Sequence, residues 1–74
     1  MSAVVLTRCD PTQNMHRFYR LDIQPDLFGA WCLIREWGLI GSAGQTRTVA
    51  YPTLAEAQMA LKRQQRAKQR RGYR

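Results

Sequence analysis

The chain has few of the residues that catalytic and metal sites use. Its 74 residues include one histidine, His16, and two cysteines, Cys9 and Cys32, which do not form a CxxC pair. Because a metal site needs three or four such ligands close together, we predict no bound metal and no other cofactor. No histidine or lysine lies near Ser42 to activate its hydroxyl, and His16 lacks an obvious partner. We therefore expect a protein that is not an enzyme.

Long apolar runs are also absent. No segment approaches the roughly 20 apolar residues that cross a membrane. Ala3–Leu6 is too short for the apolar region of a secretion signal, and no basic segment precedes it. We therefore expect a cytoplasmic protein with reduced cysteines and no membrane partner. Because the chain is short, we expect residues 1–74 to form a single domain with a thin core.

Acidic residues are scarce, and the last part of the chain has none. The net charge is +7, from 12 Lys and Arg against five Asp and Glu. Residues 1–61 hold five basic and five acidic residues, which cancel. The whole excess lies in a basic tail, residues 62–74, with Lys62, Arg63, Arg66, Lys68, Arg70, Arg71 and Arg74. Such a run is often only a solvated surface, but without balancing acids it favours contact with phosphate polymers.

Four segments are predicted to be strands because apolar or β-branched residues alternate along them. They are Ala3–Arg8, Met15–Ile23, Phe28–Trp37 and Gln45–Tyr51. Short connections rich in Asp, Pro and Gly favour an antiparallel meander. In the second strand, Tyr19, Leu21 and Ile23 form the apolar face, and Asp22 lies on the opposite, wet face. Gln24–Asp26 is predicted to end this strand, since proline fits poorly in a central strand.

The period changes to that of a helix after the fourth strand. Thr53 is the predicted N-cap, with Glu56 three residues later. Leu54, Ala57 and Leu61 share a face that should dock on the sheet. Four cations fall on the opposite face, namely Lys62, Arg63, Arg66 and Arg70. Past Leu61 the apolar face gives way to Gln65 and Lys68, so we expect weaker packing and a helix that projects or frays. The predicted fold is α+β: a small antiparallel sheet of about four strands with one C-terminal helix packed on it.

The segment from Trp37 to Gln45 is the most distinctive part of the sequence. Three glycines fall within seven positions, Gly38, Gly41 and Gly44, and allow a tight turn. Trp37 stands at the start of the turn, on the same predicted strand face as Trp31 and Arg35. A large aromatic here is either a corner of the core or a surface platform for stacking, whereas Trp31 in mid-strand is expected in the core.

Trp37-Gly38-Leu39-Ile40-Gly41, followed by Gly44-Gln45, resembles the signature of the WGR domain family. Three further segments agree in order and spacing: Asn14 to Phe18-Tyr19, the helix with Glu56-Ala57, and Arg71-Gly72-Tyr73. The resemblance covers nearly the whole chain and implies a small antiparallel sheet with one helix. The family occurs in poly(ADP-ribose) polymerases, where it binds DNA ends and signals to a separate catalytic domain. This chain looks like the small stand-alone versions of the domain, which resemble bacterial proteins.

The resemblance also implies roles for single residues. Trp37 would pack against sugar at a DNA end, and nearby backbone and basic groups would hold the terminal phosphate. Tyr73 would fold back on the domain. The third signature residue is Arg in the family and Leu39 here, so a guanidinium is missing at that point. Arg35, two residues before Trp37, is our predicted source of a nearby charge.

Two functions follow as hypotheses. The first is a non-catalytic nucleic-acid-binding module that prefers DNA, at ends or nicks, with a DNA-processing protein as a possible partner. Its predicted binding residues are Arg35, Trp37, Gly38, Gln45, Arg47, Lys62, Arg63, Arg66 and Arg70. The second is a protein-interaction or adaptor domain whose basic tail docks an acidic partner, a reading that the apolar Leu39 favours.

Overall fold

A computed structural model describes residues 3–74 as four strands followed by a helix. The strands are β1 (Val4–Asp10), β2 (Met15–Pro25), β3 (Trp31–Leu39) and β4 (Gln45–Tyr51), and the helix is α1 (Leu54–Arg70). Each strand pairs antiparallel with the next, in the order β1-β2-β3-β4. The predicted α+β fold, with one sheet and one C-terminal helix, is confirmed.

One side of the sheet, here called the helix side, forms the core with α1. Its buried strand residues are Leu6, Tyr19, Leu21, Ile23 and Leu33, which pack with Ala57 and Ala60 of the helix. The alternation predicted for the second strand is therefore confirmed on its apolar face. Trp31 packs on the rim of this core and stays partly exposed. The opposite side of the sheet is here called the open side.

The start of the helix forms as predicted. The Thr53 hydroxyl accepts a hydrogen bond of 3.2 Å from the Glu56 N–H, which satisfies one donor of the first turn. Ala57 is fully buried and Ala60 nearly so, because their short side chains let the helix axis lie close to the sheet. Leu54 and Leu61 pack around them, partly buried.

The expectation that the helix projects or frays past Leu61 is wrong. The helix continues to Arg70, and the ammonium of Lys68 lies 4.7 Å from the centre of the Tyr19 ring. Tyr73 returns to the core edge-on to Tyr19, with ring centres 6.1 Å apart. The stem of Lys68 and the ring of Tyr73 thus supply the apolar contacts that the helix sequence lacks. The prediction that Tyr73 folds back on the domain is confirmed.

The end of the chain also pairs with the outer edge of β1. The N–H of Arg74 donates to the Thr7 carbonyl, and the Thr7 N–H donates to the Arg74 carbonyl, both at 2.8 Å. This exchange is that of a hydrogen-bonded antiparallel pair. It anchors the segment after the helix and covers the middle of an edge strand.

The connection between β2 and β3 differs from the prediction. β2 does not end at Gln24 but runs through Pro25, which pairs with Trp31, and β3 begins at Trp31 instead of Phe28. The reason lies in Asp26, whose carboxylate accepts hydrogen bonds from the N–H groups of Phe28 at 2.8 Å and Ala30 at 2.9 Å. This local bonding holds the segment in a turn that a β-strand pattern does not reveal.

The wet face predicted for β2 is also wrong at one position. Asp22 is only 5% exposed. Its carboxylate accepts hydrogen bonds of 2.9 Å from the Ile23 N–H and from the Gln24 side-chain amide, and it lies 3.5 Å from the Arg20 guanidinium. These donors satisfy the charge locally, so burial of the carboxylate is tolerated.

The predicted turn between the first two strands is confirmed, although β1 runs to Asp10 and not only to Arg8. The Asp10 carboxylate accepts hydrogen bonds from the hydroxyl of Thr12 at 2.6 Å and from its N–H at 3.1 Å. The hydroxyl bond is the main reason that the pKa of Asp10 lies below its ordinary value. Asn14 then adopts a left-handed conformation that admits the start of β2.

Candidate functional site

The turn between β3 and β4 closes tightly over the end of β3. A side chain at Gly44 would place its Cβ 2.6 Å from the Trp37 carbonyl oxygen and 2.9 Å from the ring of Phe18. Gly41 has a φ of +88°, in the region that favours glycine. These two positions explain why the turn needs glycine. The close contact of Gly44 with the Trp37 carbonyl holds Trp37 at the start of the turn.

Trp37 packs against the core and is also partly exposed, so it combines the two alternatives that the sequence left open, a corner of the core and a surface platform. One face of its ring stacks on Tyr19, with centres 5.9 Å apart and planes 18° apart. The side chain remains partly exposed and lines a surface hollow with Arg17, Gly38, Leu39 and Tyr73. We call this hollow and its rim the Trp37 corner. A ring that is held by one stacking contact and remains partly exposed is suited to stacking against a planar ligand or a sugar.

Four of the predicted binding residues are neighbours beside this corner. Trp37 pairs with Gln45 across β3 and β4, and Arg35 pairs with Arg47 two residues further along. Because alternate residues share a face, all four lie on the helix side of the sheet. The structure thus brings two guanidinium groups next to the partly exposed tryptophan.

Lys68 adds a third cation to this region. Burial lowers the pKa of its ammonium below the ordinary value, and the positive charges of Arg71 and then Arg35 lower it further. The rings of Tyr19 and Tyr73 lie 4.7 Å and 5.9 Å from the ammonium, and such contacts favour its charged form. A lysine whose pKa is lowered by neighbouring positive charges marks a favourable place for an anion.

No acidic group neutralises these cations within residues 3–74, where the one ion pair joins Arg20 to Asp22. The arginine of that pair lies on the open side, as does Glu36, its partner across β2 and β3. The charge of the helix side is therefore available to a ligand.

The remaining predicted binding residues form a second group. Lys62, Arg63, Arg66 and Arg70 line an outward groove along α1, together with Met59 and Ala67. We call these four cations the helix stripe. The stripe faces away from Ala57 and the core, so it does not share the hollow of the Trp37 corner. The predicted residues thus fall into two positive surfaces and not one pocket.

Two residues of the Trp37 corner were not predicted. Arg17 pairs directly with Leu39 across β2 and β3 and lines the same hollow. Arg17 lies closer than Arg35 to Leu39, the position where the family signature has arginine. The sequence predicts Arg35, and not Arg17, as the source of charge at this point. Lys68 was expected on a loose part of the helix. Arg17 can be placed only from the pairing register of the strands, and Lys68 only from the return of Tyr73 to the core.

The other sequence-level expectations concern cysteine, metal and membrane. Cys9 pairs with His16 and Cys32 pairs with Gln24, eight residues apart along β2 and thus roughly 26 Å distant, too far for a disulfide. Across residues 3–74, no group of three or more His, Cys, Asp or Glu side chains could hold a metal ion. Within the same range, no helix is long and apolar enough to cross a membrane.

Comparison with known proteins agrees with the resemblance seen in the sequence. The model of the WGR domain family matches residues 2–74. A protein of Sinorhizobium fredii (strain NBRC 101917 / NGR234), described as uncharacterized protein y4dW, is 42% identical over 67 residues. The match covers 90% of this chain and 33% of that protein, so the chain spans about a third of the length of this curated relative. No solved structure matches. The chain belongs to the WGR domain family, whose domains generally bind nucleic acid.

Proposed function

We propose that this domain binds DNA without catalysing a reaction, and that the Trp37 corner receives a duplex end or a nick. The observation that carries the proposal is that a partly exposed tryptophan and cations without an acidic partner lie side by side on the helix side of the described sheet. An exposed end offers what an internal duplex lacks: an unstacked terminal sugar and base, and a terminal phosphate.

The two positive surfaces have different tasks in this proposal. Trp37 stacks on the terminal nucleotide, while Arg17, Arg35 and Lys68 hold its phosphate and Gly38 shapes the hollow. Arg47 and Gln45 extend this contact along β4. The helix stripe attracts the polyanion without reading its sequence, which gives affinity and strong salt dependence.

The wider setting is also proposed. Residues 1–74 act as one binding domain, in the cytoplasm, beside a protein that processes DNA. Such a partner would supply the chemistry at the end that the domain recognises. The match covers 33% of the curated relative, so the chain of that relative has room for such a protein beside the matched segment.

A protein-interaction role is the second candidate, because Leu39 of the Trp37 corner and Ile40, which follows it in the chain, are each about half exposed. Substitution of Leu39 by Arg separates the two roles. It adds a cation beside Arg17, so it strengthens DNA binding if DNA is the ligand. It removes an apolar contact, so it weakens binding if the ligand is a protein.

The proposal is tested first by titrating a short blunt duplex with a 5′ phosphate at several salt concentrations, using fluorescence anisotropy. If the helix stripe engages four phosphates, its contribution to the slope of log affinity against log salt is about −3.6. Binding that does not change with salt would contradict the electrostatic part of the proposal.

A further inference from the structure

The turn between β2 and β3 presents two large apolar side chains to solvent. Leu27 is 97% exposed and Phe28 is 92% exposed. The turn is held by three hydrogen bonds: the two that the Asp26 carboxylate accepts from backbone N–H groups, and one of 2.9 Å from the Asp26 N–H to the Ala30 carbonyl. Gly29 completes it with a φ of +85°. We call Leu27 and Phe28 the apolar tip. Its rigid backbone lowers the entropic cost of docking.

Charge divides the molecule into two ends. The apolar tip, the strand halves beside it and the first half of the helix comprise residues 21–34 and 48–61. These segments contain three acidic residues, Asp22, Asp26 and Glu56, and no basic residue. All 12 basic residues and the other two acids lie in the rest of the chain. Arg20, just outside these segments, pairs with Asp22. The tip end therefore keeps a weak negative charge from Asp26 and Glu56, and the end with the Trp37 corner is strongly positive.

This charge distribution limits the kinds of partner that the apolar tip can bind. A phosphate backbone or an anionic membrane would meet Asp26 beside the tip and no basic residue within residues 21–34, which disfavours both. The tip instead fits an apolar hollow with a positive rim. The described surface contains such a hollow: the Trp37 corner, lined by Trp37, Leu39 and Tyr73 with Arg17 beside them.

We propose that the apolar tip of one copy of this chain docks in the Trp37 corner of another. The two surfaces lie near opposite ends of β3, with about 20 Å of strand between Trp31 and Trp37. The molecule is 45 Å long. Because the two surfaces differ, the contact is heterologous, and copies joined by it without closing a ring form open head-to-tail rows.

The contact is weak because it is small. Two side chains and a narrow rim bury far less than the roughly 1,200 Å² of a standard interface, so a dissociation constant on the order of 0.1–1 mM is expected. A nucleic-acid end bound at the Trp37 corner occupies the same hollow. Nucleic acid then displaces the apolar tip, and association between copies falls as DNA ends are added.

The test is a reciprocal mixing experiment in the absence of DNA. Phe28→Ser removes the larger side chain of the apolar tip, and Leu39→Asp places a charge in the hollow. Both positions are exposed, so the fold is retained, which circular dichroism checks. Val5→Ser, at an exposed apolar position on the open side, is the matched control. Sedimentation velocity at up to about 2 mM, bracketing the expected dissociation constant, measures the average mass.

Wild type and the Val5 variant are expected to gain mass with concentration without a plateau at the dimer. Each of the other two variants alone stays monomeric. Their equimolar mixture regains association and stops at the heterodimer, because only one tip and one intact hollow remain between the two chains. A wild type that stays monomeric, a Phe28 variant that associates like wild type, or a mixture that stays monomeric would each overturn the proposal. Since no DNA is present, such a failure leaves the proposed DNA binding untouched.

Discussion

Arg17 and Leu39 face each other across β2 and β3, on the helix side of the sheet and beside Trp37. Leu39 occupies the position where the family signature has arginine, and Arg17 brings a guanidinium to the same hollow from the neighbouring strand. A cation is therefore present at the site, although it comes from a different element. This exchange underlies the first prediction.

Arg17→Gln should weaken DNA binding and reduce the magnitude of the salt slope by about 1, because one phosphate contact is lost. The exchanged variant Arg17→Leu with Leu39→Arg should recover most of the lost affinity, since it returns the cation to the same hollow. Anisotropy titrations at several salt concentrations measure both. An exchanged variant no better than Arg17→Leu alone would show that the position of the charge matters and that Arg17 does not substitute for the signature residue.

Trp37→Ala should abolish preference for DNA ends while leaving salt-dependent binding to duplex, because the helix stripe is intact. It should also cost about 1–3 kcal/mol of unfolding free energy, as the contact with Tyr19 is lost. Trp31→Ala is the matched control: it is on the same strand and face, is also partly buried, and lies away from the hollow. The control should lose stability and keep end preference. Equal loss of end preference in both variants would assign Trp37 to the core alone.

Replacement of the four cations of the helix stripe by Gln should flatten the salt slope by about 3.6 and weaken binding to open and closed DNA alike. End preference should persist, because Trp37 and Arg17 remain. Arg20→Gln, on the open side, serves as the control for loss of a single charge and should leave the slope unchanged. A stripe variant with an unaltered slope would remove α1 from the interface.

Lys68 should titrate below the ordinary lysine pKa, as measured by NMR of its side chain. Arg35→Gln should raise this pKa, since it removes a repelling charge. Below the folded-state pKa the lysine is charged in both states, and the cost of burial and repulsion is present in full. As pH rises from there towards the ordinary pKa, the folded protein loses the proton first, so the unfolding free energy increases. Lys68→Met should lack this increase, and a Lys68 pKa at or above the ordinary value would contradict the electrostatic picture.

Gly44→Ala should destabilise the β3–β4 turn by about 1–3 kcal/mol, because the new Cβ would meet the Trp37 carbonyl at 2.6 Å. The displacement of Trp37 should also reduce preference for DNA ends. Thermal unfolding and the anisotropy titration measure the two effects. An alanine here without loss of stability would mean that the turn relaxes freely.

The sheet and helix could be predicted from the sequence because alternation and periodicity report which side of an element is buried. Tyr19, Leu21 and Ile23 show this for β2, and Thr53 shows it for the start of the helix. The turn at Asp26 could not be predicted in this way. Its carboxylate accepts hydrogen bonds from two backbone N–H groups, and this local bonding competes with strand pairing.

The residues of the Trp37 corner could be predicted only in part. The glycine turn and Trp37 are adjacent in sequence, so local pattern suffices for them. Arg17 reaches the hollow through strand pairing, and Lys68 reaches it through the return of Tyr73. Both depend on contacts between distant parts of the chain, which neither composition nor periodicity encodes.

The central claim is that the Trp37 corner recognises a DNA end. It is tested most directly by comparing a hairpin duplex that has one 5′-phosphorylated end with a closed dumbbell of matched sequence. Fluorescence anisotropy at low and physiological salt gives both affinities, for wild type and for Trp37→Ala. Tighter binding of wild type to the open hairpin, kept at higher salt and lost in the variant, is the predicted result. Equal affinity for the two DNAs, falling together with salt, would contradict the claim.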